Sequence, residues 1–221
     1  MVNLLARDFR KTPASITSFD FTDIASGTGY VVFKGGKGQS DYNLNQQEFY
    51  SDKITTFKLE SITNVWETTQ DIDFDVLLNN PLTMRGKAII SVPIGVQSRG
   101  GTSSGFYLKY TAYIRKWDGT TETEIVSGTS EELVWTIASS NIRDGIKTVN
   151  LEVPLTKFKK GETIRLTIVL EAKSEIEQNY NVGIAHDPKN RNDDPLDATE
   201  QIINDTTDTI LNFHAPFRID R

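Results

Sequence analysis

His186 and His214 are the only imidazoles in the chain, and there is no cysteine. A thiolate nucleophile, a disulfide framework and a cysteine metal site are therefore excluded. Neither histidine stands in H-x-H or H-E-x-x-H spacing, so no zinc motif or paired-histidine site is read. His186-Asp187 runs into Pro188 within a polar stretch, where an Asx-type turn is a simpler reading than an acid/base pair. Asp71, Asp73 and Asp75 alternate along an extended segment, about 7 Å apart in successive pairs. They could hold calcium with help from a neighbouring strand, or simply line a solvated face. Asp187, Asp193, Asp194, Asp197 and Glu200 concentrate acid without the spacing or central glycine of an EF-hand. Glu122, Glu124, Glu171 and Asp73 sit on strand-like segments, and a glycosidase would need two such groups about 5 to 9 Å apart across a cleft. No G-x-S-x-G elbow occurs. Gly35, Gly36 and Gly38 lack the full P-loop spacing and a following helix, and read as a tight turn. No catalytic, cofactor-binding or metal-ligating residue is assigned, with calcium left as the one open ion.

A different kind of chemistry is written between Gly105 and Trp117. Phe106, Leu108, Tyr110, Ala112 and Ile114 fall on one face of a strand, and Tyr107, Lys109, Thr111, Tyr113, Arg115 and Trp117 on the other. Tyr107, Tyr113, Arg115 and Trp117 form a candidate subunit interface or sugar platform, since rings and arginine are enriched at interface cores and rings also stack on sugars.

The elements that position these residues are strands. Val149, Leu151, Val153 and Leu155 alternate with polar residues, Lys157 to Glu162 turns the chain, and Ile164, Leu166, Ile168, Leu170 and Ala172 resume the alternation. Period two on both sides of a Lys/Gly turn predicts two antiparallel strands, each with one face in a core. Further strands are expected at Tyr30–Phe33, Ile54–Leu59, Thr69–Leu78, Lys87–Val96, Leu133–Ile137, Tyr180–Ala185 and Ile210–Ile219, and Asp118-Gly119 is a hairpin signal after Trp117. Lys87–Val96 reads as central, with Pro93 marking a bulge or edge, and Pro216 does the same for the last strand. Ala138 to Asp144 has room for one helical turn. Gln97 to Gly105 and the stretch after Ala185, with Pro188 and Pro195, read as loops. About nine to eleven strands with no sustained helical period give an all-β, antiparallel two-sheet sandwich of jelly-roll type. Residues 1–27 form an N-terminal arm or edge segment, and residues 28–221 a single β-sandwich domain.

The 221 residues are 37% hydrophobic and 24% charged, enough for a substantial core. A net charge of -6 argues against binding nucleic acid by phosphate neutralisation. Charges at Arg7, Asp8, Arg10 and Lys11 break the first apolar run, so neither a secretory signal nor a membrane span is expected at the N-terminus.

Three segments carry a family resemblance: Leu151 to Leu170 with its Phe158-Lys159-Lys160-Gly161-Glu162 turn, the Ile184-Ala185-His186-Asp187-Pro188 loop entry, and the closing Phe213-His214-Ala215-Pro216-Phe217-Arg218-Ile219 strand. In these the chain resembles β-sandwich virion proteins of tailed bacteriophages and related viruses, of the capsid-decoration or head-fibre type. The resemblance implies a non-enzymatic structural role through protein contacts and a homo-oligomer, a trimer above other states. It also implies docking on a major capsid protein or other virion proteins, synthesis in the host cytoplasm and residence in the virion. Two alternatives stand beside it: a carbohydrate-binding β-sandwich module using Tyr107, Tyr113, Trp117 or Trp135, and a jelly-roll glycoside hydrolase or lyase.

Overall fold

The computed structural model describes residues 28–191, 202–203 and 207–218. The arm assigned to residues 1–27 lies outside the described residues, as do Asp193, Asp194, Asp197, Glu200 and Ile219. Twelve strands and no helix occur among the described residues: β1 Thr28–Lys37, β2 Tyr42–Asn45, β3 Thr55–Ile62, β4 Glu67–Leu77, β5 Leu82–Ser98, β6 Ser104–Trp117, β7 Glu122–Thr129, β8 Leu133–Ile137, β9 Ile142–Phe158, β10 Thr163–Ser174, β11 Gln178–Ala185 and β12 Asn212–Arg218. They form one hydrogen-bonded sheet in the order β3-β11-β5-β12-β1-β2-β4-β10-β6-β7, with β8 added to β6 and β9 to β5. The sheet is mixed rather than purely antiparallel, because β2 joins β4 in parallel at Tyr42↔Phe74 and Asn43↔Asp75.

Two long strands organise it. β6 is paired by β10 along one edge, and its other edge is shared between β8 at Ser104–Leu108 and β7 at Thr111–Trp117. β5 runs beside β9 for its whole length, and its second edge passes from β12, up to Ser91, to β11, from Ile94. Pro93 sits at that change of partner, where a missing ladder donor is least costly. Pro216 also falls at an irregularity, within the register shift between His214 and Phe217.

Alternation becomes burial. Phe106, Leu108, Tyr110, Ala112 and Ile114 of β6, Ile164, Leu166, Ile168, Leu170 and Ala172 of β10, Ile90, Val92, Ile94 and Val96 of β5, and Val149, Leu151 and Val153 of β9 share one core. Each large aliphatic side chain so buried contributes about 2 kcal/mol. Tyr110 crosses this core: its single O–H is shared between the carbonyls of Ile90, at 3.0 Å, and Lys147, at 2.9 Å. β6 is thereby tied to both β5 and β9.

Three expectations are corrected. Val149–Leu155 and Ile164–Ala172 are strands, but they do not pair with each other: β9 pairs with β5, and β10 with β4 and β6. The turn at Lys159–Glu162 hands the chain from one part of the sheet to another, closed by Lys159 N–H to the Glu162 carboxylate at 2.7 Å. Gly35 and Gly36 lie inside β1 rather than in a turn, and neither has positive φ. A Cβ on Gly36 would overlap the Phe49 ring, and one on Gly35 would crowd Leu211 and Phe74, so close approach is what requires glycine there. Residues 138–141 form a hydrogen-bonded turn, Asn141 N–H to the Ala138 carbonyl at 3.2 Å, with Ser140 at φ 61°, and β9 begins at Ile142. No helical turn forms.

Candidate functional site

The outward face of β4, β10 and β6 carries the chemistry that the strand alternation predicts. Tyr107, Tyr113, Arg115 and Trp117 all project from it, each half-buried. The structure gives every ring a cation. Lys173 Nζ lies 4.5 Å from the Tyr107 ring centre, Arg115 Cζ 4.7 Å from that of Tyr113, and Arg165 Cζ 5.7 Å from that of Trp117. Trp66, immediately before β4, takes Lys109 at 4.0 Å and Lys173 at 5.2 Å. Such contacts contribute about 0.5 to 1 kcal/mol at exposed sites, and they hold long side chains flat against the sheet.

Carboxylates complete the array. Arg165 Nε and Nη2 grip Asp75 in a two-pronged bond at 2.8 Å each, while Nη1 donates to Glu122 at 2.7 Å and lies 3.2 Å from Asp73. Glu122 also accepts from Arg115 at 2.8 Å. These bonds, that to Asp75 first, push the Arg165 guanidinium above its ordinary value. Thr167 donates to Asp73, Tyr107 donates to Glu175 at 3.0 Å, and Lys109 pairs with Glu171 at 3.9 Å.

The Asp71/Asp73/Asp75 row is therefore engaged at two of its three members, and among the described residues no group of three or more histidine or acidic side chains could hold a metal. The four glycosidase candidates are also engaged: Asp73 and Glu122 meet at Arg165, Glu171 pairs with Lys109, and Glu124 accepts from Ser127 at 2.8 Å. Sequence reading missed Arg165, Lys173 and Trp66. The outward parity of Arg165 and Lys173 was legible, but their closeness to β6 depends on which strands are neighbours. Trp66 has the parity of the inward Ile72 and Phe74, and the register shift opposite Leu170/Glu171 lies between them.

A second cluster lies where β2, β3, β4 and the end of β11 meet. The His186 imidazole is wholly buried, its Nε2 2.8 Å from Thr56 Oγ1, which is 2.9 Å from the Tyr42 hydroxyl. Tyr42 and Phe74 present ring edges to it at 5.4 and 5.9 Å between centroids. Burial is the largest cause that pushes this imidazole down, to about 4. His186 Nδ1 and Gln70 Oε1 are buried without a protein partner. Asp187, also wholly buried, accepts from the Arg191 N–H at 2.6 Å and from Arg191 Nη2 at 2.9 Å. The Asx-type turn expected before Pro188 does not form: the chain turns over Asp187–Asn190, Asn190 N–H donating to the Asp187 carbonyl at 3.1 Å, and the Asp187 carboxylate reaches four residues on to Arg191. His214 lies apart on β12, edge-on to Tyr30 at 6.5 Å.

Trp135, the fourth ring of the sugar-binding alternative, does not join the outward row. It lies on β8, partly buried against the core. No helix among the described residues is long and apolar enough to cross a membrane.

No family model matches the sequence, and no curated protein does. Among solved structures the chain is similar to a CocE/NonD family hydrolase from Staphylococcus aureus, at 10% identity and TM-score 0.46 over 94% of this chain and 38% of that one. It is similar to an aminopeptidase from a marine sediment archaeon, Thaumarchaeota archaeon, at 7% and 0.46 over 88% and 37%. A third likeness is to the infectious bursal disease virus Gx strain, at 9% and 0.33 over 83% and 45%. The chain spans less than half the length of each. With TM-scores under 0.5, none of these likenesses bears on what the chain does.

Proposed function

We propose that this chain is a capsid-associated structural subunit of a virion, a jelly-roll-like two-layer β-sandwich that works through protein-protein contact rather than catalysis. The observation that carries the reading is the outward β4-β10-β6 face. Four rings, four cations and the acids that neutralise them gather on this face, most of them on strands of eleven to fourteen residues, with Trp66 just before β4, Glu175 just after β10 and Glu122 supplied by β7. A face of mixed sign with interleaved rings suits contact with a copy of itself, because each charge can meet its opposite across a symmetry axis. A closed homo-oligomer, a trimer in the first instance, and docking on a major capsid protein follow from this reading, as does residence in the virion. The sequence resemblance supports it from the strand-turn-strand and closing-strand segments.

A sugar-binding module is the second reading, favoured by the half-exposed state of Tyr107, Tyr113 and Trp117 on one face. Covalent footprinting of tyrosine and arginine separates the two. Contact function predicts that Tyr107, Tyr113 and Arg115 become protected as the protein is concentrated. Protection that appears only with added oligosaccharide contradicts it and transfers the face to sugar binding.

A further inference from the structure

The His186 corner carries a device that the contact reading leaves unused. Four segments converge there. His186 N–H donates to the Ile54 carbonyl at 2.9 Å, and Asp187 N–H to the Thr209 carbonyl at 2.9 Å. Asn190, at φ 53°, accepts from Thr209 N–H at 2.7 Å, and Arg191 Nη2 donates to the Ser51 carbonyl at 2.8 Å. Residues 186–191 are thus the catch that joins the end of β11 to the segment before β3 and to the return of the chain at Thr209. The imidazole is its innermost part.

The surroundings of that imidazole favour the neutral ring, burial outweighing the groups that would stabilise its charge. From β2 and β4 it meets the edges of Tyr42 and Phe74, and from β3 the hydroxyl of Thr56. The charged groups acting on it are Lys37 of β1 and Lys53 before β3, both unfavourable to a second positive charge, and Asp187, the one favourable group. The Asp187 carboxylate already accepts from Arg191. Protons nevertheless have a route in: Tyr42 and Thr56 are only half-buried, and their hydroxyls form a continuous chain to Nε2.

We infer that His186 is a proton-operated catch, closed while the imidazole is neutral and opened when it takes up a proton, releasing residues 186–191 from Ile54, Ser51 and Thr209. The sign follows from linkage. The ring holds its proton less well when buried than when exposed, so closure is fully favoured above the ordinary histidine range and weakens as pH falls toward 4. Between pH 7.5 and pH 4 the closed-to-open ratio falls about a hundred-fold.

The test is amide hydrogen exchange on the full chain, corrected for the intrinsic pH dependence, together with an imidazole titration followed by NMR. The expected result is an about hundred-fold loss of protection at His186, Asp187 and Arg191 from pH 7.5 to pH 4, with β10 amides unchanged. His186→Gln, which cannot take up the proton, is expected to abolish the pH dependence. Unchanged protection in the wild type overturns the proposal. So does the same loss in His186→Gln, which would assign the effect to Asp187. If that variant fails to fold, a wild-type His186 midpoint near 6.5, no lower than that of an exposed histidine, overturns it equally.

Discussion

Arg115 and Arg165 face each other across the paired strands β6 and β10, like charges in direct register, and Glu122 accepts from both, one carboxylate oxygen to each. Two guanidiniums placed so would repel. Glu122 reaches them because β7 returns beside β6 after the Asp118-Gly119 turn, with Gly119 at φ 97° and Asp118 accepting from Thr120 and Thr121 N–H. The hairpin that was legible in the sequence therefore assembles an ion cluster that was not.

Glu122→Gln should destabilise the fold by about 1 kcal/mol at low ionic strength, and by less at high salt, because the arginines it separates are only partly shielded from water. Denaturant unfolding at two salt concentrations measures this. A loss independent of salt would mean that Glu122 acts through packing.

Tyr180→Phe should cost about 1 to 2 kcal/mol. The Tyr180 hydroxyl is buried at the centre of Ser104, at 2.7 Å, Ser174, at 2.8 Å, and Gln178, at 2.6 Å, and ties β11 to β6 and β10. Ser104 Oγ and Ser174 Oγ are already 3.2 Å apart and can bond each other, which limits the loss. Thermal unfolding of the variant measures it.

Alkaline stability should turn on Tyr110. Burial pushes its phenol well above the ordinary value near 10, so the folded state keeps the proton that the unfolded chain gives up. Stability from this group is intact below pH 10 and is lost as pH rises beyond it. Tyr110→Phe should flatten the decline above pH 10 while lowering stability at pH 7 by about 1 kcal/mol. Unfolding curves at pH 7 and above pH 10 test both parts.

Gly95→Ala should cost about 2 kcal/mol, while Gly145→Ala should be nearly neutral. Gly95 pairs with Gly183 on the outward side of β5 and β11, and a Cβ there would overlap the Ile202 carbonyl oxygen. At Gly145 the nearest atom, Leu133 Cδ1, is 3.6 Å away. Equal melting temperatures for the two variants would mean that Ile202 does not rest on β5.

These residues also mark how far the sequence could be read. Alternation revealed the buried face of the long strands, and the inward sets of β6 and β10 are wholly buried as expected; Leu155 of β9, in the same alternating set as Val149, Leu151 and Val153, is instead exposed, at the register shift opposite Met84/Gly86. Period two is silent about partners, however, so β9 and β10 look like a hairpin although their hydrogen bonds go elsewhere. β2 escaped notice because Tyr42–Asn45 is short and polar, held by β1 and by two parallel pairs with β4. Tyr107, Tyr113, Arg115 and Trp117 were legible as one face, but the cations over them come from β6 itself and from β10. His186 looked like part of a polar loop, and only the apolar run Val182–Ala185 leading into it hinted at burial.

The central claim is that the β4-β10-β6 face exists for contact with other protein chains, and the molar mass of the purified chain by light scattering tests it most directly. The account predicts a closed oligomer, a trimer first, that falls to the monomer mass when Tyr113→Ala and Trp117→Ala are combined. A wild-type monomer at every concentration, or an oligomer that the double substitution leaves intact, would contradict it.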